Sequence, residues 1–138
     1  MKKEDFKYED PERYIENKYI FENEDCLITI SENIFNEDAI NFASTLVEKY
    51  KKEKVSIFNY LLDNRLREFY NGRYEDEYVL NNMGKPQINI IFANDGKNPN
   101  LTYKYFCSMD FLEHKMDEHI ISVEFLDDFK LRDVELNG

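Results

Sequence analysis

Between Asn36 and Lys54 the chain reads "NEDAINFASTLVEKYKKEK" and sets Ala39, Ile40, Ala43, Leu46, Val47 and Tyr50 at three-and-four spacing. On an α-helix that spacing makes one apolar stripe. A helix with one such stripe must bury it against a second layer, so the rest of the chain has to supply one. The ends of the run agree with a helix. Asn36 suits the cap, Glu37 and Asp38 favour the positive end, and Lys49, Lys51, Lys52 and Lys54 gather at the negative end. The following run, "VSIFNYLLDNRLREFYNG", places Val55, Phe58, Leu62, Leu66 and Phe69 on a stripe and ends on Asn71-Gly72, a stop signal. The reading is two helices in tandem.

The second layer is written in the flanking runs. Tyr19–Phe21 and Cys26–Ile30 enclose the polar "ENED", the pattern of a hairpin. "QINIIFA" alternates with Ile88, Ile90 and Phe92 on one side, "LTYKYFC" with Leu101, Tyr103, Tyr105 and Cys107, and the turn-rich "NDGKNPN" between them makes them partners. "HIISVEFL" and "FKLRDVEL", separated by Asp127-Asp128, form a further hairpin. "RYEDEYVLNNMGKP" shows no sustained period, with room for a short helix before its terminator. The expected fold is α+β: an antiparallel sheet of about six strands with both helices on one face, in the order ββααββββ. Residues 1–138 make a single domain, with 1–18 a polar N-terminal arm in which Pro11 can start one helical turn.

With 29 acidic against 18 basic side chains the formal charge is −11, and the acids concentrate toward the two ends of the chain. Such a charge repels phosphate backbones and anionic lipid surfaces, so neither nucleic acid nor membrane is an expected partner. No run approaches the roughly 18 apolar residues of a bilayer span, and the start "MKKEDFKYEDPERY" lacks the apolar stretch of a signal peptide, so the expected location is the cytosol. Cys26 and Cys107 lie far apart in strand-like runs, as buried free thiols would.

Both histidines fall in "EHKMDEH", Glu113 to His119. The inverted zincin pattern is H-x-x-E-H, and this segment misses it by one residue. At about 100° per residue, His114 and His119 would stand roughly 140° apart on a helix and could not share an ion. His114 and Glu118 are spaced to do so, leaving His114, Glu118 and His119 as an irregular metal site that a hydrolase could use. The alternative is a polar turn joining two strands. No G-x-S-x-G elbow, Gly-rich phosphate loop or Cys-His pair accompanies it, so no catalytic residue and no cofactor is expected.

Tyr70, Tyr74 and Tyr78 recur at four-residue spacing around the acids Glu75, Asp76 and Glu77. Tyrosines give rigid contact area and carboxylates steer a basic surface, so this segment is the candidate partner-binding site. The C-terminal "EHIISVEFLDDFKLRDVELNG", the helices in mid-chain and the acidic, Asn-, Lys- and Ile-rich composition resemble small bacterial α+β proteins similar to the immunity proteins of polymorphic toxins. The resemblance implies a cytosolic protein that blocks a basic toxin domain. The expected function is thus a non-enzymatic acidic binding protein with a basic protein partner. A metal-assisted hydrolase built on His114, Glu118 and His119, or a subunit that pairs through the edge strand "FKLRDVEL", are the alternatives.

Overall fold

The computed structural model describes residues 1–9, 17–96 and 98–138, and the turn expected at Pro11 lies outside them. Its elements are β1 (Lys7–Glu9), β2 (Lys18–Glu22), β3 (Leu27–Ser31), α1 (Glu37–Leu61), α2 (Arg67–Phe69), α3 (Asp76–Asn81), β4 (Gln87–Ala93), β5 (Tyr105–Phe111), β6 (Ile120–Leu126) and β7 (Leu131–Asn137). The class is α+β, as the sequence implies. The seven strands form one sheet in sequential order β1-β2-β3-β4-β5-β6-β7.

Two features of the expected fold are corrected. The sheet is mixed: β3 and β4 run parallel, with Ile28 opposite Ile88 and Ile30 opposite Ile90, while every other neighbouring pair is antiparallel. Parallel neighbours need a long crossover, and the helical segment between β3 and β4 is that crossover. Lys7–Glu9, inside the arm expected over residues 1–18, pairs with β2 and adds a strand at the sheet edge.

The second correction concerns the helices. Instead of two in tandem there is one long helix, because α1 passes through a π-helical turn at Leu62–Leu66 directly into α2 with helical backbone throughout. No Gly or Pro stands between Glu37 and Tyr70 to break it; Gly72, at φ 78°, ends it. The cap is the expected one, the Ala39 N–H donating to Asn36 Oδ1 at 2.8 Å. Continuity also sets the phase. Ile57, Phe58, Leu61, Leu62 and Leu66 are buried, whereas Val55, about 140° round from Tyr50, is 70% exposed rather than on the apolar stripe.

The helix covers one face of the sheet. Phe42 stacks on Tyr105 at 4.5 Å and Phe58 meets Phe111 edge-on at 5.7 Å. On that face Ile28, Ile30, Ile88, Ile90, Cys107, Met109, Phe111, Ile121, Val123 and Phe125 are all buried and belong to one core. The residues between them in sequence point away and contribute none of it. β5 starts later than expected, so Leu101 and Tyr103 precede it and Met109 and Phe111 extend its apolar face. Phe92 also departs from its expected side. The pairing slips between Ile90 and Phe92, so Phe92 pairs with Phe106 on the opposite face and is 47% exposed.

Gly84 marks where the segment after α3 meets the turn after β5. At φ 74° it requires left-handed backbone, and an added Cβ would stand 3.0 Å from the Glu113 carbonyl oxygen. Gly72 has the same backbone but open space. Gly72→Ala should therefore lose about 1–2 kcal/mol from the backbone alone, and Gly84→Ala about 1–3 kcal/mol more from overpacking. Urea denaturation of both variants checks the order; equal losses would mean that the Gly84–Glu113 approach carries no weight.

Candidate functional site

The two segments singled out in the sequence meet. "EHKMDEH" is an irregular turn between β5 and β6, and the tyrosine segment packs directly on it. Tyr74 donates its hydroxyl to the Met116 carbonyl at 2.7 Å, and the Lys115 N–H donates to the Asn82 carbonyl at 2.9 Å. Phe69 stands edge-on to His119 at 5.2 Å. From there rings run outward in contact: Phe69 to Tyr70 at 5.0 Å, Tyr70 to Tyr74 at 5.3 Å, and Tyr74 to Tyr78 stacked at 4.9 Å with planes 7° apart.

His114 is buried and fully used by the backbone. The Met116 N–H donates to Nδ1 at 3.2 Å, and Nε2 donates to the His119 carbonyl. That assignment places the proton on Nε2 and leaves neither ring nitrogen with a lone pair for an ion. His119 takes a different partner: its N–H donates to Asp117 Oδ1 at 2.9 Å, and its Nδ1 lies 3.1 Å from Asp117 Oδ2. Glu118 is exposed. Among the described residues no three His, Cys, Asp or Glu side chains are grouped to hold a metal ion.

Burial would raise the Asp117 carboxyl, but the His119 N–H, the His119 ring and the Tyr70 hydroxyl together hold it below the ordinary carboxylate range. Burial, then the Asp117 carboxylate, pushes the Tyr70 phenol up. The six residues of the tyrosine segment thus divide. Tyr70 is 1% exposed and supports the others from the core. Asp76 is held by Arg67, which also binds Asp63, at 2.9 and 2.7 Å. Tyr74 is half-buried and Tyr78 is 44% exposed, with Glu75 and Glu77 exposed beside them. Arg73 lies 5.6 Å over the Tyr70 ring and stands exposed beside Tyr74, Glu75 and Tyr78 as a cation within this surface.

A second site was not picked out by motif. On the sheet face away from the helix, a hydrogen-bonded polar strip crosses β3 to β6. Thr29 Oγ1 donates to Asn89 Oδ1 at 2.6 Å, and Gln87 Nε2 donates to the same oxygen at 2.8 Å. Asn89 Nδ2 donates to Ser108 Oγ at 3.0 Å and to Asp110 Oδ2 at 2.9 Å, and Ser122 Oγ donates to Asp110 Oδ1 at 2.6 Å. Burial raises the Asp110 carboxyl, against the lowering effect of Ser122, Asn89, Ser108 and, at longer range, Lys18. Beside it, burial and the neighbouring Asp133 and Glu135 raise Glu124, with Arg132 opposing. The signal in the sequence was residue type: interior strands carry short Thr, Asn, Ser and Asp at their outward positions, where a solvated sheet commonly carries long charged side chains.

No protein-family model, no curated protein and no solved structure matches the chain.

The signs of these shifts give a pH dependence. Asp110 and Glu124 bind a proton more tightly folded than unfolded, so the stability they contribute is greatest at low pH and is lost as pH rises through their raised values. Asp117 acts oppositely, its contribution disappearing as pH falls below the ordinary carboxylate value of about 4. The thermal midpoint should rise as pH falls through the raised values of Asp110 and Glu124 and drop again below the ordinary carboxylate range, and Asp110→Asn should shrink the rise while Asp117→Asn shrinks the fall. Calorimetry across that range checks it; an unchanged profile in both variants would contradict the assignment.

The turn generates a separate expectation. His114→Ala removes both ring hydrogen bonds and leaves buried backbone groups unpaired, so it should destabilise the fold by about 2–4 kcal/mol. Chemical denaturation measures it; a loss under about 0.5 kcal/mol would mean that the histidine does not organise the turn.

Proposed function

We propose that this protein is a non-enzymatic binding protein whose acidic surface engages a basic protein partner, as an immunity protein engages a toxin domain. The observation that carries the reading is the stacked Tyr74–Tyr78 pair, fixed at its base by the Tyr74 hydroxyl on the Met116 carbonyl and flanked by exposed Glu75 and Glu77. A ring pair already held in place loses little freedom on docking, and Tyr is among the side chains that most often dominate an interface. Glu75 and Glu77, at the N-terminal end of α3, steer a cationic surface toward the rings. Tyr70 and Asp76 belong to the same segment as supports, Tyr70 through its contact with Tyr74 and Asp76 through Arg67. The formal charge of −11 supports the sign of the partner.

Co-expression with the product of the neighbouring reading frame, scored for growth rescue and for co-purification at low and high salt, tests the reading. A complex that weakens with salt is expected. Tyr78→Ala should weaken it by about 1–3 kcal/mol and Glu75→Gln with Glu77→Gln should slow association, with the fold intact. A complex indifferent to salt and to all three substitutions would overturn the assignment of this surface.

A further inference from the structure

The sheet face away from the helix has the properties of a binding surface in its own right. Its centre is built from short side chains, Thr29 and Ser108 buried among their neighbours and Asn89, Asp110 and Ser122 half-buried, so a partner reaches the last three close above the backbone. Asn89 ties Thr29, Gln87, Ser108 and Asp110 together, and Ser122 completes the set. Those hydrogen bonds fix the rotamers in advance, which removes part of the ordering cost of binding.

The charge on this face points to the occupant. Asp110 accepts from the neutral donors Ser122 and Asn89 and makes no ion pair among the described residues. The register places Glu124 opposite Ser108 and Arg132, and Glu135 opposite Ser122, so the β5–β7 side carries Asp110, Glu124 and Glu135 against Arg132. A half-buried carboxylate hydrogen-bonded only by neutral groups, with Lys18 acting on it at longer range, gains from a cation in direct contact more than an exposed one does, because solvent screens it less. Large apolar side chains flank the strip. Phe92, 47% exposed, pairs with Phe106 toward one end, and Leu112, 50% exposed, follows β5 at the other. Along β5 these ends lie on the order of 13 and 7 Å from Asp110, the span of a few extended residues.

We propose that this open sheet face is a second docking surface, which receives a protein segment carrying an arginine or lysine between apolar residues. The cation sits on Asp110 and the apolar neighbours rest on Phe92 and Leu112. The proposal rests on the basic-partner reading above and adds a face distinct from the Tyr74–Tyr78 surface.

The test is amide and side-chain NMR of the full chain titrated with the extended peptide acetyl-Leu-Ser-Arg-Ser-Ser-Ser-Phe-amide, whose Leu and Phe stand about 7 and 13 Å from the arginine, and with its citrulline counterpart, which keeps the shape and removes the charge. Signals of Asn89, Ser108, Asp110 and Ser122 should shift with the arginine peptide. The citrulline peptide should bind about tenfold or more weakly, as expected when a charged hydrogen-bond partner is lost. Asp110→Asn, which keeps hydrogen-bonding capacity toward Asn89 and Ser122, should erase the difference between the peptides. Equal binding of both peptides, or an Asp110→Asn variant that still discriminates, would overturn the proposal. Shifts confined to Tyr74–Tyr78 would overturn it while leaving the first surface in place, and no shift at all would overturn it and leave the first surface to its co-purification test.

Discussion

The parallel register of β3 against β4 determines how the two antiparallel halves of this sheet are joined. Ile28 opposite Ile88 and Ile30 opposite Ile90 are each at most 1% exposed, and a shift of either strand by one residue would turn that strand's two isoleucines to the other face. The connection cannot be a tight turn. It is the long helix, which leaves β3, crosses the apolar face and returns through α3 to β4. The burial of that face and the exposure of the other both follow from this geometry, because the main helical layer is committed to one side.

The same crossover builds the first candidate surface. The chain leaving the helix turns at Gly72, lays Tyr74 on the Met116 carbonyl, and passes Gly84 close against Glu113. The turn after β5 is rigid from inside, because His114 binds the backbone at Met116 and at His119 and Asp117 holds the His119 N–H. Of the two histidines that suggest a metal in the sequence, His114 serves as a hydrogen-bonding support through its ring, and His119 is held through its backbone and its contact with Phe69. Their position explains why a polar, charged segment of this composition can hold the aromatic ladder from Phe69 to Tyr78.

Much of this was legible in the chain and some was not, for physical reasons. The hairpins β2–β3 and β6–β7, the β4–β5 pairing and the Asn36 cap were readable because alternation and turn chemistry are local. The parallel joint was not, since nothing within one strand says which neighbour it takes. The fused helix reads as two in sequence because lysines at 49 to 54 look like an end, yet with no Gly or Pro the helix runs on through them, all four exposed and Lys49 and Lys54 lying over the rings of Phe129 and Phe58. Tyr70, Tyr74 and Tyr78 do meet, though not as one helical stripe: α3 begins only at Asp76, and Tyr70 and Tyr74 stand on either side of the Gly72 turn. The polar strip around Asn89 went unseen because its members come from four strands, and only the register brings them together.

One face of the sheet is sealed core and the other, among the described residues, is a polar face with Asn89, Asp110 and Ser122 half-buried. Thiol labelling of the native protein tests it directly. Cys26 and Cys107 are both 0% exposed on the helix side, and burial pushes both thiols up, Cys26 to about 11. A cysteine placed by Ser122→Cys would lie on the open face. Native protein should resist an aromatic disulfide reagent while Ser122→Cys reacts at one added thiol. Rapid reaction of the native cysteines, or an Ser122→Cys variant as inert as the parent, would contradict the two-faced architecture on which both docking surfaces depend.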